Sequence, residues 1–285
     1  TPPATPDAPP ALPPRGRGVI RTVLVIAAVL LCLGAVGSVT AVAVGVGRTA
    51  VIADSAELPA TMRALTVSTA DVPMAVRITS DPQARTPRAE LRFFSTAGSG
   101  QRLDVTSTPD GTRLAVRGQA LGWMQWARAG RLDVVLPPAL ARQLALTTSQ
   151  QFGMLMVETD LDSVVARTDN GAVLLGGSAR TIEIRNQHGS VHSRDPILVR
   201  ESFSANSVDG DVTVDFRDAA PRRIQVSSGD GDVSIGLPGA GPFVVNASTG
   251  SAGGDTVVRV PQTFDPARAA SVVTVRSETG DVTVR

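Results

Sequence analysis

Two histidines, two Asp-Gly-Asp triplets, two tryptophans and one cysteine are the residues of this 285-residue chain whose types and spacing invite a chemical reading. His188 and His192 stand four apart in His-Gly-Ser-Val-His. On a helix that spacing would let both grip one metal ion. Here the run spans a turn and the start of a strand, and spacing fixes no acid or cysteine beside them. Zinc needs about three or four ligands, so the pair reads as solvated turn residues. Asp209–Asp211 and Asp230–Asp232 raise the question of calcium, which takes about six to eight oxygens. The G-G-x-G-x-D nonapeptide of calcium-dependent β-rolls is absent. Asp also has a local reason to sit there, because its side chain bonds turn backbone.

Other catalytic signatures fail. There is no Gly-x-Ser-x-Gly elbow, no lysine for a phosphate-binding loop, and no carboxylate pair better suited to glycoside hydrolysis than to turn capping. The expectation is a protein that is not an enzyme, with no catalytic, cofactor-binding or metal residues and no cofactor. Trp123 and Trp126, in LGWMQWARAG, are read as the cap of one end of a β core, with an exposed ligand platform or a membrane-interface position as the alternatives. Aromatics make up only 3% of the chain, which speaks against a carbohydrate surface built on stacked rings.

The formal net charge of +1 argues against a nucleic-acid partner, which calls for a dense basic face. That balance hides a split: three Arg and one acid up to Arg21, then 24 Arg and 25 acids. Every basic side chain other than histidine is Arg and there is no Tyr, which matches the codon bias of a high-GC bacterial genome. The single cysteine, Cys32, lies in an apolar run, so the rest of the chain holds no disulfide and relies on its core.

Residues 1–21 form a Pro-rich tail, with Pro at 2, 3, 6, 9, 10, 13 and 14, expected to be disordered or polyproline II. From Thr22 to Gly47 no charged residue occurs. A helix needs about 20 apolar residues to cross the hydrocarbon core, so 22–47 is expected as a single transmembrane helix. Three Arg precede it and only Arg48 follows closely, which predicts the tail in the cytoplasm and residues 49–285 outside the cell membrane. The competing reading is a cleaved signal peptide ending near Ala41-Val42-Ala43. Gly34 and Ser38 form a small-xxx-small pair through which two such helices could approach.

Beyond a juxtamembrane linker at 48–64, the region 65–285 is repetitive. Near-copies run IEIRNQHGSV from Ile182, FSANSVDGDV from Phe203, IQVSSGDGDV from Ile224 and VTVRSETGDV from Val273, with a weaker VVARTDNGAV from Val164. Positions 1 and 3 lie on one face of a strand, and a Gly turn follows at Gly171, Gly189, Gly210 and Gly231. Their spacings of 18, 21 and 21 favour stacked coils of a β-solenoid over hairpins. The stretch around 240–265 is degenerate and carries an insertion. Upstream, the segments from Leu65, Ala89, Leu103 and Arg131 continue the strand pattern, and only PPALARQLAL from Pro137 suggests a short helix. The expected fold is all-β: a β-solenoid-like repeat domain preceded by one transmembrane α-helix.

The turns SVDGDVTVDF, SSGDGDVSIGLP and SETGDVTVR, with the LDVVLP segment, resemble the bacterial β-strand-repeat proteins called putative adhesins, a domain of unknown function. The resemblance covers roughly 60–285 and implies the membrane-anchored, actinobacterial arrangement, with no catalytic residues to carry over. The function expected is a non-catalytic, adhesin-like interaction module of the cell envelope, integral to the membrane, with an unidentified protein or cell-wall polymer as partner. The alternative is an envelope-stress sensor that signals through the N-terminal tail.

Overall fold

The computed structural model describes residues 49–96, 102–109, 111–117, 130–239, 241–250 and 253–285. The expected tail and membrane helix, with Cys32, Gly34 and Ser38, lie outside the described residues, as do Trp123 and Trp126. Among the described residues no helix is long and apolar enough to cross a membrane. What is described is nearly all strand, with one four-residue helix, Pro138–Ala141 (α1), started by the Pro pair at 137–138.

Alternating burial explains how the repeats are built. The strand Ala145–Glu158 (β8) buries Leu146, Thr148 and Gln150, then Leu155 and Val157. The buried parity changes from even to odd across Phe152-Gly153, so the strand turns a corner there and keeps an inward face on both sides. The strand Ser163–Gly176 (β9) does the same about Gly171, burying Val164, Ala166 and Thr168, then Val173 and Leu175. The two pair in parallel through both halves.

Each later repeat continues the two halves as separate strands. The first-half ladder passes from β9 to Ser178–His188 (β10), Leu198–Asp209 (β12) and Arg223–Asp230 (β14). The second-half ladder passes to Val191–Ser193 (β11), Val212–Asp215 (β13) and Val233–Gly236 (β15). All these pairings are parallel, so consecutive repeats stack on one another and are not hairpins. Val164, Ile182, Phe203, Ile224 and Val273, the first positions of the five sequence copies, are direct neighbours across the first ladder.

The degenerate stretch has a topological reason. Val244–Thr249 (β16) and Thr256–Val258 (β17) do not pair with β14 and β15. The strands Val272–Ser277 (β18) and Val282–Val284 (β19), later in the chain, lie between them. The outermost rung is thus formed by an earlier segment than the rung beneath it. Val245 and Ala247 there are only partly buried, so its sequence is freed from the apolar pattern of the inner copies.

The other end is arranged similarly. Ala64–Ala70 (β2) and Met74–Ser80 (β3) pair in parallel with the two halves of β8, and Gly111–Arg117 (β6) and Gly130–Leu136 (β7) pair in parallel beyond them. There the direction changes. Arg88–Thr96 (β4) runs antiparallel to β7, Thr49–Glu57 (β1) antiparallel to β4, and Arg102–Thr108 (β5) antiparallel to β6. The strand β1 falls within the span expected as a linker. Among the described strands it has one ladder neighbour, β4, so it needs no strong apolar alternation of its own.

Both ladders turn their alternate residues onto one core, including Leu65, Leu146, Ile184, Phe203, Val226, Val233 and Val282. Phe203 packs edge-on against Phe216, with ring centroids 5.3 Å apart.

Candidate functional site

The Gly turns form a column at the corner between the ladders. Gly153, Gly171, Gly189, Gly210 and Gly231 all have φ between +128° and +154°. A Cβ on Gly231 would come within 2.5 Å of the Gly210 carbonyl oxygen, and one on Gly210 would land on that of Gly189. Glycine is required here twice over, by backbone conformation and by close approach of the next rung. Behind the column stands a buried polar one: Gln150, Thr168, Asn186, Ser207, Ser228 and Ser277. The Ser228 and Ser277 hydroxyls donate to the carbonyls of Gly210 (2.9 Å) and Gly231 (2.7 Å), and Asn186 Nδ2 donates to Gly189 (2.6 Å).

The Asp-Gly-Asp triplets flank this corner. Asp211 Oδ1 accepts the Asp232 N–H (2.8 Å), Asp232 Oδ1 accepts that of Asp281 (2.8 Å), and Asp281 Oδ1 that of Asp255 (2.7 Å). Each carboxylate thus bonds the backbone of the next rung, where the sequence suggested its own turn. Among the described residues no three His, Cys, Asp or Glu side chains are grouped so as to hold a metal ion. The histidines fall on opposite sides of the corner. His188 Nδ1 lies 3.6 Å from Asp209 Oδ2. His192 points outward from β11, half-buried, and burial holds its imidazole below the ordinary value although the Asp211 carboxylate works against this.

Two outward surfaces remain, and neither was singled out by sequence motifs. On the first ladder, Thr66, Thr147, Val165, Glu183, Ser204, Gln225, Thr274 and Asn246 form one row, and Ser68, Ser149, Arg167, Arg185, Asn206, Ser227, Arg276 and Ser248 form the next. Only Val165 is apolar. At the usual strand spacing the eight rungs extend about 34 Å.

The second surface is an open cleft of about 480 Å³ over β3, β4, β7 and β8, lined by Arg77, Thr79, Ser80, Arg88, Glu90, Asp133, Val135 and Glu158. Pairing puts Glu158, Thr79, Val135 and Arg88 in one row across four strands, and Arg77, Asp133 and Glu90 in the next. The short Thr79 and Val135 make the floor between longer walls. Arg77 donates twice to Glu158 Oε2 (2.8 and 2.5 Å) and Arg194 once to Oε1 (2.7 Å). Burial works to raise the Glu158 carboxyl, but the two guanidinium groups outweigh it and hold it below its ordinary value. Glu90 takes Arg88 (3.0 Å) and Arg92 (3.4 Å), and Asp133 takes Arg131 (2.8 Å). Sequence carried one signal for this: Arg88-x-Glu90-x-Arg92 and Arg131-x-Asp133 place opposite charges on the same strand face.

No family model matches the chain, and no curated protein matches it. Solved structures do. A "putative adhesin" from Bacteroides fragilis NCTC 9343 is similar at 11% identity and a TM-score of 0.45, over 83% of this chain and 97% of that one. A "putative cell adhesion protein" from Clostridium sporogenes ATCC 15579 is similar at 8% and 0.34, over 82% and 99%. A "putative lipid binding protein" from Parabacteroides distasonis ATCC 8503 is similar at 11% and 0.38, over 82% and 96%.

Proposed function

We propose that the described region is a β-solenoid whose stacked rungs act as a rigid, non-catalytic interaction module of the cell envelope. The observation that carries this reading is the pair of outward rows on the first ladder, which apart from Val165 and Glu183 hold Ser, Thr, Asn, Gln and Arg in register over eight rungs. Every neighbour in such a row is fixed by backbone pairing, so a long partner with repeated polar groups meets a preorganised surface and little side-chain order has to be gained on binding. In this reading residues 22–47 anchor the module as one membrane helix, 1–21 remain in the cytoplasm as a Pro-rich tail, and 65–285 lie outside, facing a protein or cell-wall polymer.

The full chain, purified in detergent, is expected to be retained by isolated envelope material from its host. The double variant Arg167→Glu, Arg185→Glu should weaken retention at least about tenfold while the fold is unchanged by circular dichroism. Equal retention of the variant would sink the proposed face. Placement is tested separately by adding protease to intact cells: cleavage within 65–285 is expected, and full protection would reverse the topology.

A further inference from the structure

We propose that the cleft over β3, β4, β7 and β8 is a binding site for a phosphorylated sugar unit. This rests on reading the region as a binding module, though not on which side of the membrane it lies.

The argument begins with unused hydrogen-bonding capacity. A guanidinium carries five N–H donors in a fixed fork. Arg88 spends one on Glu90, and Arg77 directs its Nε and one terminal nitrogen at a single oxygen of Glu158. Both side chains line the cleft, and among the described residues each keeps N–H donors without a partner, with Thr79 in the row between Glu158 and Arg88. The carboxylates are already neutralised in place: Glu158 by Arg77 and Arg194, Glu90 by Arg88 and Arg92, Asp133 by Arg131. The lining itself holds two guanidinium groups and three carboxylates. Arg92, Arg131 and Arg194, bonded to those carboxylates from outside the lining, bring the local sum to five against three, which leaves room for an anion. Guanidinium groups on β3 and β4, with β7 between them, suit a phosphoryl group, whose several oxygens can take donors from more than one side.

The carboxylates then have a second use. Each oxygen of Glu90 and Asp133 has a further lone pair, and such oxygens accept from sugar hydroxyls. A cleft offering Arg donors and carboxylate acceptors side by side matches a ligand with anionic oxygens and several O–H donors. Its volume of about 480 Å³ falls within the range of small-ligand sites. The floor is wide because Thr79 and Val135 are short, and its walls belong to strands paired on both edges, so the site exists before the ligand arrives.

Arg88 is the residue to remove, because the fold does not depend on it. Its side chain is 41% exposed, and Glu90 keeps Arg92 as a partner in its absence. The probe is glucose 6-phosphate, titrated calorimetrically into the full chain in detergent, with inorganic phosphate and glucose as separate arms. Saturable binding of glucose 6-phosphate is expected, with inorganic phosphate at least about tenfold weaker and glucose weaker still. Arg88→Ala should lose about tenfold or more and Thr79→Val several-fold, both with unchanged melting temperature. Absence of saturable binding, wild-type affinity in Arg88→Ala, or equal affinity for inorganic phosphate would each overturn the proposal. If it fails while the outward-row variant still loses envelope retention, the cleft is wrong and the module stands. If retention is also insensitive, the module reading falls with it.

Discussion

At the scale of single residues, the Gly corner makes the sharpest demand. Gly210 and Gly231 combine a positive φ with a carbonyl from the previous rung in the space a side chain would occupy. Gly210→Val and Gly231→Val are each expected to cost about 2 kcal/mol or more. Gly239, with nothing within 4 Å of its added Cβ, should accept Ala within about 0.5 kcal/mol. Urea denaturation of the three variants decides it, and equal midpoints would contradict the column. His192 adds a pH dependence. Its folded value lies below the ordinary 6.5, so unfolding lets it take up a proton. Its contribution to stability is then fully present above 6.5 and is lost as pH falls from there through the lower folded value. His192→Asn should show a smaller loss of stability between pH 7.5 and 5.5 than the parent chain.

At the scale of the element, the turn is held by side chains that the sequence pattern did not advertise. Ser228 and Ser277 occupy the same column as Ser207, yet only the first two donate to a glycine carbonyl; the Ser207 hydroxyl is buried without a protein partner. Ser228→Ala and Ser277→Ala should each cost about 1 kcal/mol, while Ser207→Ala should be neutral within about 0.5 kcal/mol. Three equal losses in thermal melts would show that position, not bonding, sets the cost. The repeats themselves were legible, because burial imposes Val, Ile or Phe at position 1 and Ala, Val or Ile at position 3 of each copy, and the turn imposes Gly. The reach of the aspartates was not. A preference for turns is a local property, whereas the bonds from Asp211 to Asp232 and from Asp232 to Asp281 depend on which rung lies next.

At the scale of the whole molecule, the order of rungs differs from the order of the chain at both ends. Nothing in the composition of 240–265 says that β18 and β19 enter between β14/β15 and β16/β17; only long-range pairing records it. The charged cleft was hidden for the same reason, since Arg77, Arg88, Asp133, Glu158 and Arg194 come from five strands or loops far apart in sequence. One prediction follows at this scale. A chain cut after Ala270 loses the strands that, among the described residues, β16 and β17 pair with, and bares one edge of β14 and β15. Amide exchange is expected to lose protection over both 223–236 and 244–258, while β9 and β10 keep theirs. Retained protection over 244–258 would refute the inserted-rung topology.

That inserted rung also bears on biosynthesis. Residues 244–258 leave the ribosome before 272–284, so the outermost rung is made before the surface it docks on exists. Until the later segment arrives, both the upper edge of β14/β15 and the apolar side of Val245 and Ala247 stay unpaired, which is the condition under which strands join wrong partners. A pause in synthesis between Val258 and Val272 would therefore leave both edges open at once, and arrival of Val272–Val284 is what covers them.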